Sequence, residues 1–107
     1  YAGINAAPLM GPYGMSKAAV ISMTRTLAVE LAPVQIRVNA VAPGLVETRF
    51  SAALLNDEEI RRRTLGDAPI PRPAQPDEVA GAVIYLLSSA ASYVNGQTLV
   101  IDGGSTL

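Results

Sequence analysis

The chain has 107 residues, half of them hydrophobic, with eight basic and nine acidic side chains and neither histidine nor cysteine. That length allows at most one domain with ample apolar material for a core. The missing residue types exclude thiol nucleophiles, disulfides, Cys/His zinc sites and Ser-His-Asp triads within this polypeptide. The basic residues are scattered except for Arg61-Arg62-Arg63, which sit close to Asp57, Glu58 and Glu59. No basic stripe exists to follow phosphates, so no nucleic-acid partner is expected, and the run reads as a solvated helix face. No apolar stretch is long enough for a bilayer span, and Tyr1 to Asn5 lack the zones of a signal peptide, so a cytoplasmic setting is the expectation.

Residues 1–12 contain Gly3, Pro8, Gly11 and Pro12 and read as a loop. A helix is expected over 13–31, where Val20, Met23, Leu27 and Leu31 recur at three-to-four spacing and Pro33 stops it. Residues 36–42 are rich in valine and alanine without alternation, as expected for a strand of a parallel sheet covered on both faces. Pro43-Gly44 ends that strand. The stretch 45–75 reads as an irregular loop with one short helix near Asp57 to Leu65, Asn56 its N-cap and Glu59 closing a capping-box-like pair. Ala52, Ala53, Leu54 and Leu55 suggest an apolar wall or lid there.

Pro69, Pro71, Pro73 and Pro76 make a stiff connector. Pro76-Asp77-Glu78 then opens a helix over 76–89 whose buried face is assigned to Val79, Val83, Leu86 and Leu87. Gly96 opens a last strand, 97–101, which Asp102-Gly103-Gly104 terminates in a turn. Helix, strand, helix, strand is the pattern of an open α/β sheet with parallel strands. Two such strands leave faces and edges uncovered, which suggests an incomplete domain.

The chemistry centres on Tyr13 and Lys17. Four residues apart, they share one helix face, so the ammonium can bias the phenol toward phenolate and make it a general acid or base. Taken alone the spacing is weak evidence, since a core tyrosine near a solvated lysine is the commoner reading. Three further segments accompany the pair: Ile36-Arg37-Val38-Asn39-Ala40-Val41-Ala42-Pro43-Gly44, Val46-Glu47-Thr48, and Gly96 to Gly104. In this order and spacing the chain closely resembles the C-terminal half of the short-chain dehydrogenase/reductase family, over nearly its whole length.

The resemblance implies the C-terminal part of a doubly wound, Rossmann-like parallel-sheet fold, NAD or NADP as cofactor, no metal, and a small carbonyl or secondary-alcohol substrate. Tyr13 matches the family's acid/base. Lys17 matches the lysine that bonds the nicotinamide ribose and tunes the tyrosine. Pro43 and Gly44 match the Pro-Gly beside the nicotinamide, while Val46 through its backbone and Thr48 through its hydroxyl match positions that hold the carboxamide. An ordinary turn remains the other reading of Pro43-Gly44. Asn39 reads as structural, and Ser16 as a local backbone-bonding residue.

The family's catalytic serine lies thirteen residues before its tyrosine, one position ahead of Tyr1, and the phosphate-binding glycine loop is also absent. The fragment alone is therefore expected to be inactive. Ala74 stands where relatives often carry glycine, which predicts an altered loop. Relatives also use the helix after the tyrosine in dimers or tetramers, so a homo-oligomer is expected in the intact parent. A non-catalytic oligomerisation or binding module of the same fold is the alternative.

Overall fold

The computed structural model describes residues 3–4, 9–66 and 68–107, and only the backbone of residues 50, 53, 54, 63 and 64. Most of the expected loop 1–12 and the side chains of Ala53 and Leu54 in the expected apolar wall thus lie outside the described residues. The first helix, α1, spans Gly11–Glu30. It begins two residues before Tyr13 because Pro12, with its fixed φ and missing N–H, fits a first turn whose amides need no intrahelical acceptor. No side chain caps it. A 3-10 turn, Ala32–Val34, follows, and Gln35 in left-handed conformation (φ 60) turns the chain toward the sheet.

The sheet has two parallel strands, β1 (Ala40–Pro43) and β2 (Thr98–Ile101), in register Ala40 with Thr98 through Pro43 with Ile101. The strand expected over 36–42 is shorter at its start and one residue longer at its end. Side chains account for the shortening. The Val38 N–H donates to Asn95 Oδ1 at 2.9 Å, and the Asn39 amide donates to Val94 O and accepts from the Gln97 N–H, each at 2.9 Å. These asparagines supply bonds that a neighbouring strand would otherwise make, so 36–39 run beside the second segment without a ladder. Asn39 has the structural role expected of it.

Between the strands lie α2 (Arg49–Leu55), α3 (Glu58–Leu65) and α4 (Pro76–Leu87). The α2 helix corrects the expectation of irregular backbone there. Asp57, not Asn56, caps α3, accepting from the Glu59 and Ile60 N–H groups at 2.9 and 3.1 Å. A carboxylate suits the positive end of the helix better than an amide does. The proline-rich leg after α3 is tied down twice: the Ile70 N–H donates to Gly103 O, and Ala74 pairs in parallel with Val46. Ala74 does so without positive φ, so this position needs no glycine.

On α4, Val79, Ala82 and Leu86 form the inward face, and Leu87, 77 % exposed, points away, as does the partly exposed Val83. The correction follows from helix geometry, since neighbours in sequence are separated by about 100° around the axis. Among the described residues the buried apolar side chains are Ala28, Leu65, Leu86 and Ala91, and no large side chain is fully buried. The buried apolar set among the described residues is therefore thin.

Candidate active site

Tyr13 and Lys17 lie in the first two turns of α1 and on the same face, with Lys17 Nζ over the Tyr13 ring, 5.1 Å from its centroid. Tyr13 is 53 % exposed, so the phenol is open to a ligand. The Ser16 hydroxyl donates to Tyr13 O at 2.7 Å and takes no part beyond its own turn. Gly3 packs on the backbone of this turn. A Cβ at Gly3 would lie 2.8 Å from Lys17 Cβ and 2.9 Å from its carbonyl carbon.

The second group of residues follows β1. Pro43 is the strand's last residue, and the Gly44 N–H donates to Ile101 O at 2.9 Å. At Gly44 a Cβ would stand 2.9 Å from both Cα and Cβ of Asp102, so only glycine lets these two chain segments come so close. The Asp102 side chain in turn shapes the tail, accepting from the Gly104 N–H at 2.9 Å while Gly103 and Gly104 adopt φ of 64 and 86. Burial would raise this carboxyl, but the Thr106 side chain and the Gly104 and Thr106 N–H groups outweigh it and hold it below its ordinary value. Its Oδ2 is buried with no hydrogen-bond partner among the described residues.

Val46 and Thr48 come next. The Ala74 N–H donates to Leu45 O and the Glu47 N–H to Ala74 O, each at 2.8 Å, which turns the Val46 N–H and C=O away from that pairing. The carbonyl accepts from Ser51 Oγ at 2.7 Å. Among the described residues the Val46 N–H meets no acceptor. Thr48 precedes α2 as its N-cap: Thr48 Oγ1 accepts from the Ser51 N–H at 3.1 Å. The Val46 N–H and the Thr48 hydroxyl could together hold a carboxamide, which needs a donor and an acceptor.

The sequence alone does not mark Ser51, although it is 3 % exposed and sits at the centre of this network. Its signal is a Thr-x-x-Ser spacing at a helix start, invisible while α2 reads as loop. Polar contacts carry the order onward: Gln75 Nε2 donates to Glu47 Oε2, the Gln75 N–H to Glu78 Oε2 at 2.7 Å, and Arg72 grips Glu78 through two bonds of 2.8 Å.

No hydrogen bond or ion pair among the described residues joins the Tyr13–Lys17 pair to the Pro43–Thr48 segment. A concavity of about 660 Å³ lies elsewhere, at the amino ends of the strands beside Arg37, Ser88, Tyr93 and Asn95. Part of its polar lining is already engaged: Arg37 donates to Val94 O and Ser88 O, and Asn95 Nδ2 to Ala28 O. Through these bonds it holds elements together. Among the described residues no cluster of His, Cys, Asp or Glu could hold a metal, and no helix is long and apolar enough to cross a membrane.

Comparison with known proteins shows the family and the fold. Residues 1–106 match the family described as enoyl-(acyl carrier protein) reductase. The chain is 46 % identical over 105 residues to dehydrogenase/reductase SDR family member 4 of Mus musculus, covering 97 % of this chain and 37 % of that protein. It is 44 % identical over 104 residues to cyclopentanol dehydrogenase of Comamonas sp. (strain NCIMB 9872), covering 97 % and 42 %. Among solved structures, a short-chain type dehydrogenase/reductase from Mycobacterium ulcerans superposes with a TM-score of 0.91 at 37 % identity over 96 % of this chain and 38 % of that one. A 4-hydroxyisoleucine dehydrogenase complexed with NADH gives 0.93 at 28 % identity over 98 % and 43 %. The chain thus spans well under half the length of these relatives, and its α/β architecture is part of their doubly wound, Rossmann-like fold. With the family profile, the relatives and the solved folds in agreement, the chain belongs to the short-chain dehydrogenase/reductase family of oxidoreductases.

Proposed function

We propose that residues 1–107 are the carboxy-terminal part of a single-domain NAD- or NADP-dependent oxidoreductase acting on a small carbonyl/secondary-alcohol pair. The observation that carries this reading is the Lys17 ammonium held over the Tyr13 ring at 5.1 Å on an exposed helix face. Tyr13 gives or takes the proton of the substrate oxygen, and Lys17 supplies the neighbouring positive charge and bonds the nicotinamide ribose. Pro43 and Gly44 lie against the nicotinamide, and Val46 and Thr48 hold its carboxamide. The bound dinucleotide supplies or accepts the hydride.

Helix length supports this placement. From Ala28, which abuts Gly96 and bonds Asn95 ahead of β2, back to Tyr13 is about 22 Å along α1. A four-residue strand is only about 13 Å long. α1 is therefore long enough to bring Tyr13 to the carboxyl ends of the strands, where open α/β folds bind ligands. The exposed apolar residues Met15, Val20, Met23 and Val29 of α1 support a dimer or tetramer of the whole protein. They also favour the second reading, a non-catalytic assembly module of this fold.

Tyr13→Phe decides between the two. In the whole protein carrying this chain, turnover of a carbonyl substrate with reduced dinucleotide falls by about 10²–10⁴ while dinucleotide binding persists. Turnover matching the unsubstituted protein would remove Tyr13 from the chemistry, and absence of activity in both would favour the assembly module.

A further inference from the structure

We infer that Ser51 is a specificity-determining positioning residue: it sets Val46 as a donor and Thr48 as an acceptor, and so selects a carboxamide over a carboxylate on the cofactor ring. The inference rests on the reading of the site given above, and it follows from counting hydrogens. A hydroxyl has one hydrogen and two lone pairs. Ser51 Oγ accepts from the Thr48 N–H at 2.7 Å and faces two carbonyls, Val46 O at 2.7 Å and Thr48 O at 3.1 Å, so its hydrogen goes to the nearer one. That occupies the Val46 carbonyl and leaves its N–H as the outward group.

Ser51 Oγ also lies 3.2 Å from Thr48 Oγ1. With the serine hydrogen already given to Val46 O, the threonine must be the donor in this contact. Thr48 Oγ1 meanwhile accepts from the Ser51 N–H. One lone pair on an exposed hydroxyl remains, and it can only accept. The segment therefore offers one donor at Val46 and one acceptor at Thr48. A primary carboxamide, with its C=O and NH₂, complements both. A carboxylate, with acceptors alone, would face the Thr48 lone pair unfavourably. Ser51 touches no ligand itself, and its near-complete burial keeps water from substituting for it.

The test is equilibrium binding to the whole protein of three probes: nicotinamide adenine dinucleotide, its nicotinic-acid (deamido) counterpart, and ADP-ribose, which lacks the ring; NADP forms replace them if the protein prefers the 2′-phosphate. The unsubstituted protein is expected to favour the carboxamide form. Ser51→Ala should reduce that preference about tenfold by weakening the carboxamide form, with ADP-ribose affinity retained. Ser51→Thr, which keeps the hydroxyl, should restore it. If Ser51→Ala fails to fold, Ser51→Cys, a weak donor of similar size, should show the same reduced preference. An unchanged preference in the folded variant, or equal weakening of all three probes, would overturn the inference and leave the functional reading standing. Failure of the unsubstituted protein to bind either dinucleotide would overturn both.

Discussion

Gly44 shows how much a single position can decide. Its backbone lies against Cα and Cβ of Asp102 and its N–H is bonded to Ile101 O, so neither partner is the flexible end of a side chain that could swing aside. Gly44→Ala in the whole protein is expected to cost about 1–3 kcal/mol through overpacking, read as a lower thermal midpoint, and to weaken dinucleotide binding by pushing the loop outward. An unchanged midpoint would mean that the strand ends part freely. At this scale the Tyr13–Lys17 pairing was legible in the sequence, because side chains four apart on a helix meet whatever surrounds them. Ser51 was not, because its partners Val46 and Thr48 come together only when the chain folds back into α2.

Among the elements, the leg 68–75 and the start of α4 act as a unit through Glu78. Its side-chain bond to Arg72 and then the Gln75 N–H outweigh desolvation, with the charge of Arg72 adding least, and lower its carboxyl from 4.5 to about 2. A depressed folded-state value stabilises fully above the unfolded value and loses that contribution as pH falls through the folded one. The stability difference between the whole protein and its Glu78→Gln variant should therefore be constant above about pH 5 and shrink as pH drops toward 2. Denaturant unfolding at several pH values measures it, and a difference independent of pH would discount the clamp. Because both partners are exposed, solvent screening keeps the contribution modest. The beginning of this helix was legible through Pro76, Asp77 and Glu78. Its inner face is not legible at Val83 and Leu87, since an apolar pair such as Leu86-Leu87 does not reveal which member points inward.

Among the described residues little is buried. Leu9, Val29, Leu87 and Tyr93 are largely exposed, and the two-stranded sheet has both outer edges unpaired among the described residues. Residues 1–107 expressed alone are expected to melt without a cooperative transition, to bind a hydrophobic dye such as ANS, and to give no saturable change in reduced-nicotinamide fluorescence. A sharp calorimetric transition together with saturable dinucleotide binding would show that this segment folds and binds unaided.

By itself the sequence determined the alternation of two long helices with two strands, the parallel α/β character, the shared face of Tyr13 and Lys17, and the break at Pro43-Gly44. Each of these follows from local periodicity or from the backbone limits of proline and glycine. The tertiary structure alone decided the register of β1 against β2, the replacement of ladder bonds by Asn39 and Asn95, the pairing of Val46 with Ala74, and the hydroxyl network around Ser51. The first three join residues far apart along the chain, and the fourth depends on a short helix that tertiary contacts stabilise. Hydrogen-bond satisfaction across such distances leaves no mark on local composition.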